Sequence, residues 1–429
     1  MQTHTTRRSV LAALGAGSVA ATTTGLLRQG QTYRIGSAVS SSGDLAVYGQ
    51  RHERGMNLAV DRVNQVGLKD GGELAVSVED TASAPQTGVS AAQKLVNQEG
   101  VPLLIAAVSS GVTMAIARSV TIPNQVVQVS PHSTSPQITT LDDNGYVLRT
   151  APSDAFQGAA MAQLARDRGI ESASVILVNN DYGRGFTDVL EARFEAAGGT
   201  ITNTVPYNSG RASYRPQLNQ AMQGDPDAIM FVAYPESFTT MARQAFEMGI
   251  KDRVQYVGAE STLAEPIREN VPARALDGMI GTTPSAPTES EAWQSFVSAF
   301  QDRYDTQPSV WAAYSYDATM LSALAIEAAD EFGSAALRET IYPVSRPEGE
   351  TVSSFEAAKE ALGGGGQINY AGVSGSIDLN EAGDVPGTYK WWRFANGDYR
   401  MQGFLDVEQG SGGGTATTTT GNATATQGQ

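Results

Sequence analysis

Residues 101–112 read VPLLIAAVSSGV, and this stretch decides the fold. The run Val101–Val108 is continuously apolar, which is typical of a parallel strand buried on both faces. Ser109, Ser110 and Gly111 end the run, and Val112–Ser119 has the apolar spacing of a short helix. A strand, a tight turn and a helix in this order form one repeating unit of an α/β fold.

The same alternation continues on both sides of this unit. Further strands are predicted at Tyr33–Ser40, Glu73–Glu79, Gln125–Val129, Ala173–Asn179, Thr200–Pro206, Ala228–Ala233 and Val254–Gly258. A helix-period pattern follows each of them except Gln125–Val129 and Val254–Gly258, which end the two halves. The pattern pauses at Arg149-Thr-Ala-Pro152 and then restarts. The sequence therefore predicts an α/β protein with two doubly wound parallel-sheet lobes, divided near residue 150.

The region after residue 285 differs in pattern. Glu289–Phe332 carries two long helical patterns without strands of its own, so these helices must cover a sheet formed elsewhere. Gly375–Leu379 and Tyr389–Phe394 are predicted strands, and Asn396-Gly397 is a hairpin turn signal.

Composition excludes several classes of protein. The chain has 429 residues, 41% of them hydrophobic, with 45 Asp plus Glu against 29 Lys plus Arg and a net charge of −16. Such an acidic surface disfavours nucleic acid and anionic lipid as partners and suits a high-salt environment, so a halophilic source is expected. The absence of Cys excludes disulfides, thiolate metal sites and a lipid-modified cysteine. We expect no metal and no cofactor.

The two ends are expected to lie outside the fold. Residues 1–28 read as an export signal, in which Arg7 and Arg8 resemble a twin-arginine motif ahead of the weak apolar run Val10–Ala21. Residues 407–429 form a Gly/Thr-rich tail that is expected to be disordered, with Asn422 in a glycosylation motif. The protein is therefore expected outside the cytoplasm, at the outer face of the membrane or the cell surface.

Ligands of open parallel sheets bind at the carboxyl ends of the strands. The residues that follow the predicted strands are hydroxyls, aromatics and one carboxylate, within 40–48, 109–111, 130–134, 181–183, 234–236 and 258–260. These stretches contain no phosphate-binding glycine loop, and the three His of the chain show no nucleophile or metal-ligand spacing. We expect no enzymatic activity; His52 is placed on an exposed helix face and given no role.

The chain resembles the Leu/Ile/Val-binding branch of the type I periplasmic binding proteins, which feed ABC importers. The resemblance covers about residues 33–405 and is carried by the order and spacing of short motifs: Gly43-Asp44 to Tyr48-Gly49, Gly55 to Val60, Ser109-Ser110-Gly111, Ser130 to Pro136, Arg149-Thr-Ala-Pro152, Asp181-Tyr182-Gly183 and Gly258-Ala259-Glu260. It implies a substrate-binding protein for a small polar ligand, above all a branched-chain or other amino acid. It also implies that the permease subunits of an ABC importer are the protein partners and that the binding protein is a monomer.

The resemblance also implies the ligand-binding residues. Ser110, with Ser109 as a close competitor, and Thr134 would hold a ligand carboxylate, and Glu260 would pair with its ammonium. The His132 carbonyl would accept from the same ammonium. Tyr182 and Tyr234 would contact the ligand from the second lobe and Tyr48 from the first. Seven of these residues also have plainer interpretations: Ser109, Ser110 and Thr134 as helix caps, Tyr182 and Tyr234 as core residues, Glu260 as a surface carboxylate and His132 as a structural residue.

Two alternatives stay open at this point. His132 stands where the family usually has a small residue, so binding of amides, urea or aromatic acids is a second expectation. A sensor that reports to a membrane receptor would share the fold and the site. Asp154 and Gln157 are expected to cap a helix rather than to touch ligand.

The resemblance implies a three-segment hinge, with crossings near 150–152, near 281–287 and between 341 and 366. Lobe 1 would then comprise residues 33–151 plus 284–343, and lobe 2 residues 152–283 plus 344–406.

Overall fold

The computed structural model describes residues 30–405. The predicted export signal (1–28) and the predicted tail (407–429) lie outside the described residues. None of the helices within 30–405 has the length and apolar character needed to cross a membrane.

The first sheet is parallel and has five strands in the order β2-β1-β3-β4-β5. Its third strand is the core of the apolar run at 101–108 and is fully buried. The strands are β1 (Thr32–Val39), β2 (Glu73–Asp80), β3 (Leu103–Ala106), β4 (Val127–Ser130) and β5 (Val147–Arg149), and the helices between them are α1 (Ala46–Val66), α2 (Pro85–Gln93), α3 (Ser110–Ile116) and α4 (Ile122–Asn124).

The second sheet has seven strands in the order β15-β14-β10-β9-β8-β6-β7, in which β14 is Thr388–Ala395 and β15 is Asp398–Leu405. Five of them are parallel, namely β6 (Ser172–Val178), β7 (Thr200–Tyr207), β8 (Ala228–Val232), β9 (Gln255–Gly258) and β10 (Ile280–Ser285). The intervening helices are α5 (Asp154–Asp167), α6 (Asp181–Ala196), α7 (Arg215–Ala221), α8 (Pro235–Glu247), α9 (Glu265–Asn270) and α10 (Ala273–Leu276).

The helices that follow β10 in the chain pack on the first lobe. They are α11 (Glu291–Tyr304), α12 (Val310–Ala328) and α13 (Ser334–Ile341). α12 is buried along almost its whole length and packs against α1, which fits a sequence that is rich in Ala and large apolar residues and has no continuous polar face. Phe296 and Phe300 of α11 join the same hydrophobic core.

The segment 344–385 differs from the expected lobe assignment. It forms β11 (Glu350–Val352), α14 (Phe355–Gly363), β12 (Ile368–Gly372) and β13 (Gly375–Ser376), a small three-stranded sheet with one helix. Val344, Phe355, Tyr370 and Ile377 bury their side chains in the core of the first lobe. The placement of 344–385 in lobe 2 was therefore wrong, because these apolar faces pack on the first-lobe core that includes α12.

The chain returns to the second sheet only after Val385. β14 (Thr388–Ala395) and β15 (Asp398–Leu405) add to β10 in antiparallel orientation. Asn396 and Gly397 both have positive φ, as a two-residue hairpin turn requires. The predicted fold of two α/β lobes is confirmed, with this antiparallel hairpin as an addition at the edge of the second sheet.

Candidate ligand site between the two lobes

The carboxyl ends of strands from both sheets face one another across a cleft. Ser109 and Ser110 follow β3, Thr134 follows β4, and Glu260 follows β9. The structure brings all eight predicted residues to a single cavity, lined by Leu45, Tyr48, Val108, Ser109, Ser110, His132, Thr134, Tyr182, Tyr234, Glu260, Ser261 and Trp311. The cavity encloses about 370 Å³ of space free of protein atoms, including its opening.

Glu260 provides the negative charge of the cavity. It is 6% exposed, which is incompatible with the plainer reading as a surface carboxylate. The Tyr182 hydroxyl donates to Oε1 at 2.8 Å, and the Gln157 amide donates to Oε2 at 2.7 Å. Among the described residues no Lys, Arg or His lies within salt-bridge distance of its carboxylate. A buried carboxylate held in place without a cation is prepared to receive one.

A second buried carboxylate, Asp154, lies close to Glu260. It is the first residue of α5, and the Thr134 hydroxyl donates to its Oδ2 at 2.7 Å. Its Oδ1 has no hydrogen-bond partner. The expected capping role belongs instead to Ser153, whose side chain accepts from the Ala155 amide. Asp154 therefore fixes the Thr134 side chain.

Burial without a cation shifts both carboxyl groups. Burial raises the pKa of Glu260 to about 7, although the hydrogen bonds from Tyr182 and Gln157 oppose the shift. Burial, and then the neighbouring Glu260, raise the pKa of Asp154 well above its ordinary value. The two carboxyl groups therefore titrate as a pair, and an arriving cation would favour their ionised form.

Hydroxyl groups line the side of the cavity formed by the first lobe. Ser109 is the N-cap residue of α3, and its hydroxyl lies 3.3 Å from the Tyr234 hydroxyl of the second lobe. The Ser110 hydroxyl accepts from the Ser135 amide at 3.3 Å, and the Ser135 hydroxyl donates to the Asp181 carbonyl at 2.9 Å. The Ser109–Tyr234 and Ser135–Asp181 contacts join the two lobes directly, so the cleft is closed in this structure.

Aromatic rings form the remaining walls. Tyr48 meets Trp311 edge to face, with ring centroids 5.6 Å apart, and His132 lies 5.3 Å from Trp311. On the second lobe Tyr182 and Tyr234 stack in parallel at 5.8 Å. These side chains leave a mainly apolar compartment beside the polar groups of Glu260 and the serines.

His132 is held as a neutral ring. Its Nε2 lies 2.9 Å from the Trp311 carbonyl, which only accepts, so Nε2 carries the hydrogen. Burial, and then the neighbouring His52, lower the pKa of His132 well below 6.5. His52 is itself fully buried and pairs with the Ser37 hydroxyl, so its expected exposure was wrong. His52 lies on the face of α1 that contacts Ser37 of β1 and the ring of His132.

Binding of an ammonium ligand should strengthen as the pH rises from about 5 to 8. Glu260 must be ionised to attract the ammonium, and its pKa lies at about 7 in the empty site. Below that pH one proton leaves for each ligand bound, which changes the affinity by up to about tenfold per pH unit. Burial lowers the pKa of His52 to about 3, so its charge stays constant over this range. Calorimetric titration across this range measures the slope; a flat profile would contradict an ionising carboxylate as the anchor.

Some lining residues were not predicted. Trp311 comes from α12, far along the chain from the other residues. Leu45 and Val108 are apolar, so a search for polar residues near the strand ends does not select them. Ser261 directly follows Glu260 and lies 3.1 Å from the Tyr182 hydroxyl, so inspecting the next residue would have found it. Gln157 was noted only as a capping residue, yet it contacts Glu260.

Residues 32–360 match the model of the periplasmic binding protein family, and the chain belongs to that family. The chain is 28% identical to the chemotactic signal transduction system substrate-binding protein BasB of Halobacterium salinarum, over 82% of this chain and 84% of that one. It is 26% identical to Leu/Ile/Val-binding protein homolog 1 of Brucella abortus, over 85% of this chain and 92% of the relative.

Solved structures give the same result for the fold. A leucine-binding protein from Thermotoga maritima superposes with a TM-score of 0.75 and 25% identity, covering 87% of this chain and 98% of its own. The branched-chain amino acid transporter substrate-binding protein of Streptococcus pneumoniae gives a TM-score of 0.72 at 22% identity, covering 87% and 99%. The expected branch, the Leu/Ile/Val-binding-protein-like type I proteins, is thereby confirmed.

Proposed function

We propose that this protein is the extracytoplasmic substrate-binding component of an ABC importer and that it captures an α-amino acid between its lobes. The observation that carries the proposal is Glu260, a buried carboxylate held by Tyr182 and Gln157 and facing a cavity without a cationic partner among the described residues. The relatives support an amino acid, since one of them, from Pseudomonas aeruginosa, is named a leucine-, isoleucine-, valine-, threonine- and alanine-binding protein.

Each polar group of the cavity has a role in this proposal. Glu260 pairs with the ammonium of the ligand, and the His132 carbonyl accepts from the same group. Ser109 and Ser110 offer hydroxyl groups to the ligand carboxylate, together with backbone amides of the same turn and of the turn that carries Thr134, whose own hydroxyl hydrogen is donated to Asp154. The rings of Tyr48 and Trp311 then lie beside the ligand side chain, and Tyr182 and Tyr234 close over it from the second lobe.

Closure of the cleft is the signal that a permease would read. A ligand that touches both lobes favours the closed state by the difference between its affinities for the closed and open states. The contacts Ser109–Tyr234 and Ser135–Asp181 cross the cleft and would form during closure. We propose that the protein is exported, acts as a monomer and has no catalytic activity of its own.

A signalling role is the second candidate. The relative from Halobacterium salinarum is named as a substrate-binding protein of a chemotactic system, and such a protein would use the same closure to engage a transducer. We keep the importer as the first proposal, since the relatives from Brucella abortus and Pseudomonas aeruginosa are named for amino-acid binding and their names mention no signalling system. Co-purification from membranes of the source cells with a permease or with a transducer distinguishes the two.

Small-angle scattering tests the closure. The radius of gyration should fall when a saturating amino acid is added, because closure brings the two lobes together. A panel of branched-chain, aromatic and acidic amino acids, urea, short amides and aromatic acids identifies the ligand class. If the ligand that binds in calorimetry leaves the radius of gyration unchanged, the closure mechanism is wrong.

A further inference from the structure

A second cavity adjoins the ligand site and shares three lining residues with it, Tyr48, Glu260 and Trp311. It encloses about 990 Å³ free of protein atoms, including its opening. Its walls come from both lobes: α1 and the start of α12 on one side, and β10, β14 and β15 on the other.

Two cationic side chains line this second cavity. Arg51 of α1 lies over the Tyr48 ring, 5.0 Å from its centroid, and Lys390 of β14 lies over the Phe404 ring at 4.5 Å. Both are only partly exposed. Within residues 30–405 neither forms an ion pair with a carboxylate. Glu260 is the single acidic residue among the lining side chains, so the cavity carries a net positive charge.

The start of α12 adds to this positive potential. Pro308, Ser309 and Val310 line the cavity, and the helix runs for 19 residues from there. The amino end of a helix carries a partial positive charge, which favours an anion nearby. One cavity therefore faces two cations without a carboxylate partner and a helix terminus, although the net charge of the chain is −16.

We propose that this second cavity, defined by Arg51, Lys390 and the start of α12, is an anion subsite of the ligand site. The inference rests on the proposed amino-acid binding and deepens it: a ligand held by Glu260 would extend its side chain past Tyr48 and Trp311 and place a carboxylate between the two cations. The ligand class is then an amino acid with an acidic side chain. A free inorganic anion bound beside a neutral ligand has the same chemistry, and the test distinguishes the two sources.

The cavity also has room for the apolar part of such a side chain. Leu263, Trp293 and Val310 line it together with the charged groups. Methylene groups pack against these residues, while the terminal carboxylate reaches Arg51, whose planar guanidinium can form two parallel hydrogen bonds to it.

The test compares glutamate with glutamine, which have the same shape and differ in side-chain charge. Calorimetry measures both ligands on the full chain, on Arg51→Gln, on Lys390→Gln and on the double variant. Arg54→Gln and Lys251→Gln are matched controls, because both residues also lie over tyrosine rings but do not line the cavity. All titrations use one fixed salt concentration, once with chloride and once with methanesulfonate.

The unaltered protein should bind glutamate at least about tenfold more tightly than glutamine, since a hydrogen bond between charged groups contributes at least roughly that factor. The double variant should reduce the ratio to near one, whereas the controls keep it. If the unaltered protein binds glutamate and glutamine with equal affinity, the comparison of salts decides. Weaker glutamine binding in methanesulfonate than in chloride, seen only when Arg51 and Lys390 are both present, shows that the subsite holds a free anion. If neither dependence exists, the subsite is refuted while amino-acid binding stands.

Failure of the proposed function gives a different result. If no amino acid binds the unaltered protein, the amino-acid proposal is wrong. The subsite is then decided by the thermal unfolding midpoint in chloride and in methanesulfonate. If the unfolding midpoint of the unaltered protein differs between the two salts and that of the double variant does not, a free-anion site is supported. If the salts affect the unaltered protein and the double variant equally, the site is refuted.

Discussion

Glu260→Gln is expected to lower the affinity for an amino-acid ligand by about 30- to 5000-fold. The exchange keeps the shape of the side chain and removes its charge, so the buried ammonium of the ligand loses its charge partner. Truncating one partner of a buried charge pair typically costs about 2–5 kcal/mol, which converts to that range of affinity. The loss should be largest near pH 8, where Glu260 is ionised in the unaltered protein, and calorimetry at that pH measures it.

Two variants serve as controls for this result. Thr134→Val removes no charge; it takes away the hydroxyl that donates to Asp154 Oδ2 and so disturbs the placement of Thr134, and it should cost less binding free energy, about 1–3 kcal/mol. Glu265→Gln makes the same chemical exchange on a side chain that is 63% exposed and outside the cavity, and it should leave binding unchanged. A ligand that Glu260→Gln binds as tightly as the unaltered protein does would show that no ammonium is recognised there.

Arg149→Met is expected to destabilise the fold by about 3–5 kcal/mol, because it leaves Asp384 buried without its partner. The Arg149 side chain is 0% exposed, and its Nε lies 2.6 Å from Asp384 Oδ1. It also donates to the Ser135 carbonyl at 2.9 Å and to the Thr139 hydroxyl at 2.7 Å. Arg149 thus ties β5 to Asp384, just before the chain returns to the second sheet, and to the loop that carries Thr134. Urea unfolding at constant salt measures the loss.

The double variant Arg149→Met with Asp384→Leu checks the cause. Removing both charges leaves neither uncompensated, so the double variant should be more stable than Arg149→Met alone. Arg253→Met breaks the exposed pair with Asp225, in which the side chains are 57% and 89% exposed, and should cost no more than about 1 kcal/mol. Equal losses for Arg149→Met and Arg253→Met would contradict the role assigned to the buried pair.

Local patterns predicted the two sheets well for a physical reason. A parallel strand covered on both faces must be apolar along its whole length, so Leu103–Ala106 and Ala228–Val232 stand out without knowledge of their neighbours. The carboxyl ends of such strands share one edge of a sheet. Reading the residues that follow them, with the family resemblance, therefore collected the eight predicted residues that line one cavity.

Contacts between distant segments were not predictable in the same way. Trp311 reaches the cavity because α12 packs on α1, and nothing in either helix alone indicates that pairing. His52, which an isolated helix would expose, is likewise buried by distant segments, since it contacts Ser37 of β1 and the ring of His132. The segment 344–385 also has short strands that pair mainly with one another, so its sequence does not indicate which lobe it joins.

The central claim, that the cleft recognises an ammonium through Glu260, is tested most directly with matched ligands. Leucine and glutamate are titrated alongside 4-methylpentanoate and glutarate, which lack only the amino group. The account predicts that whichever amino acid binds the unaltered protein loses about 30-fold or more in affinity when its amino group is removed, and that Glu260→Gln abolishes this preference. Equal affinity of the unaltered protein for an amino acid and its deaminated partner would contradict the account.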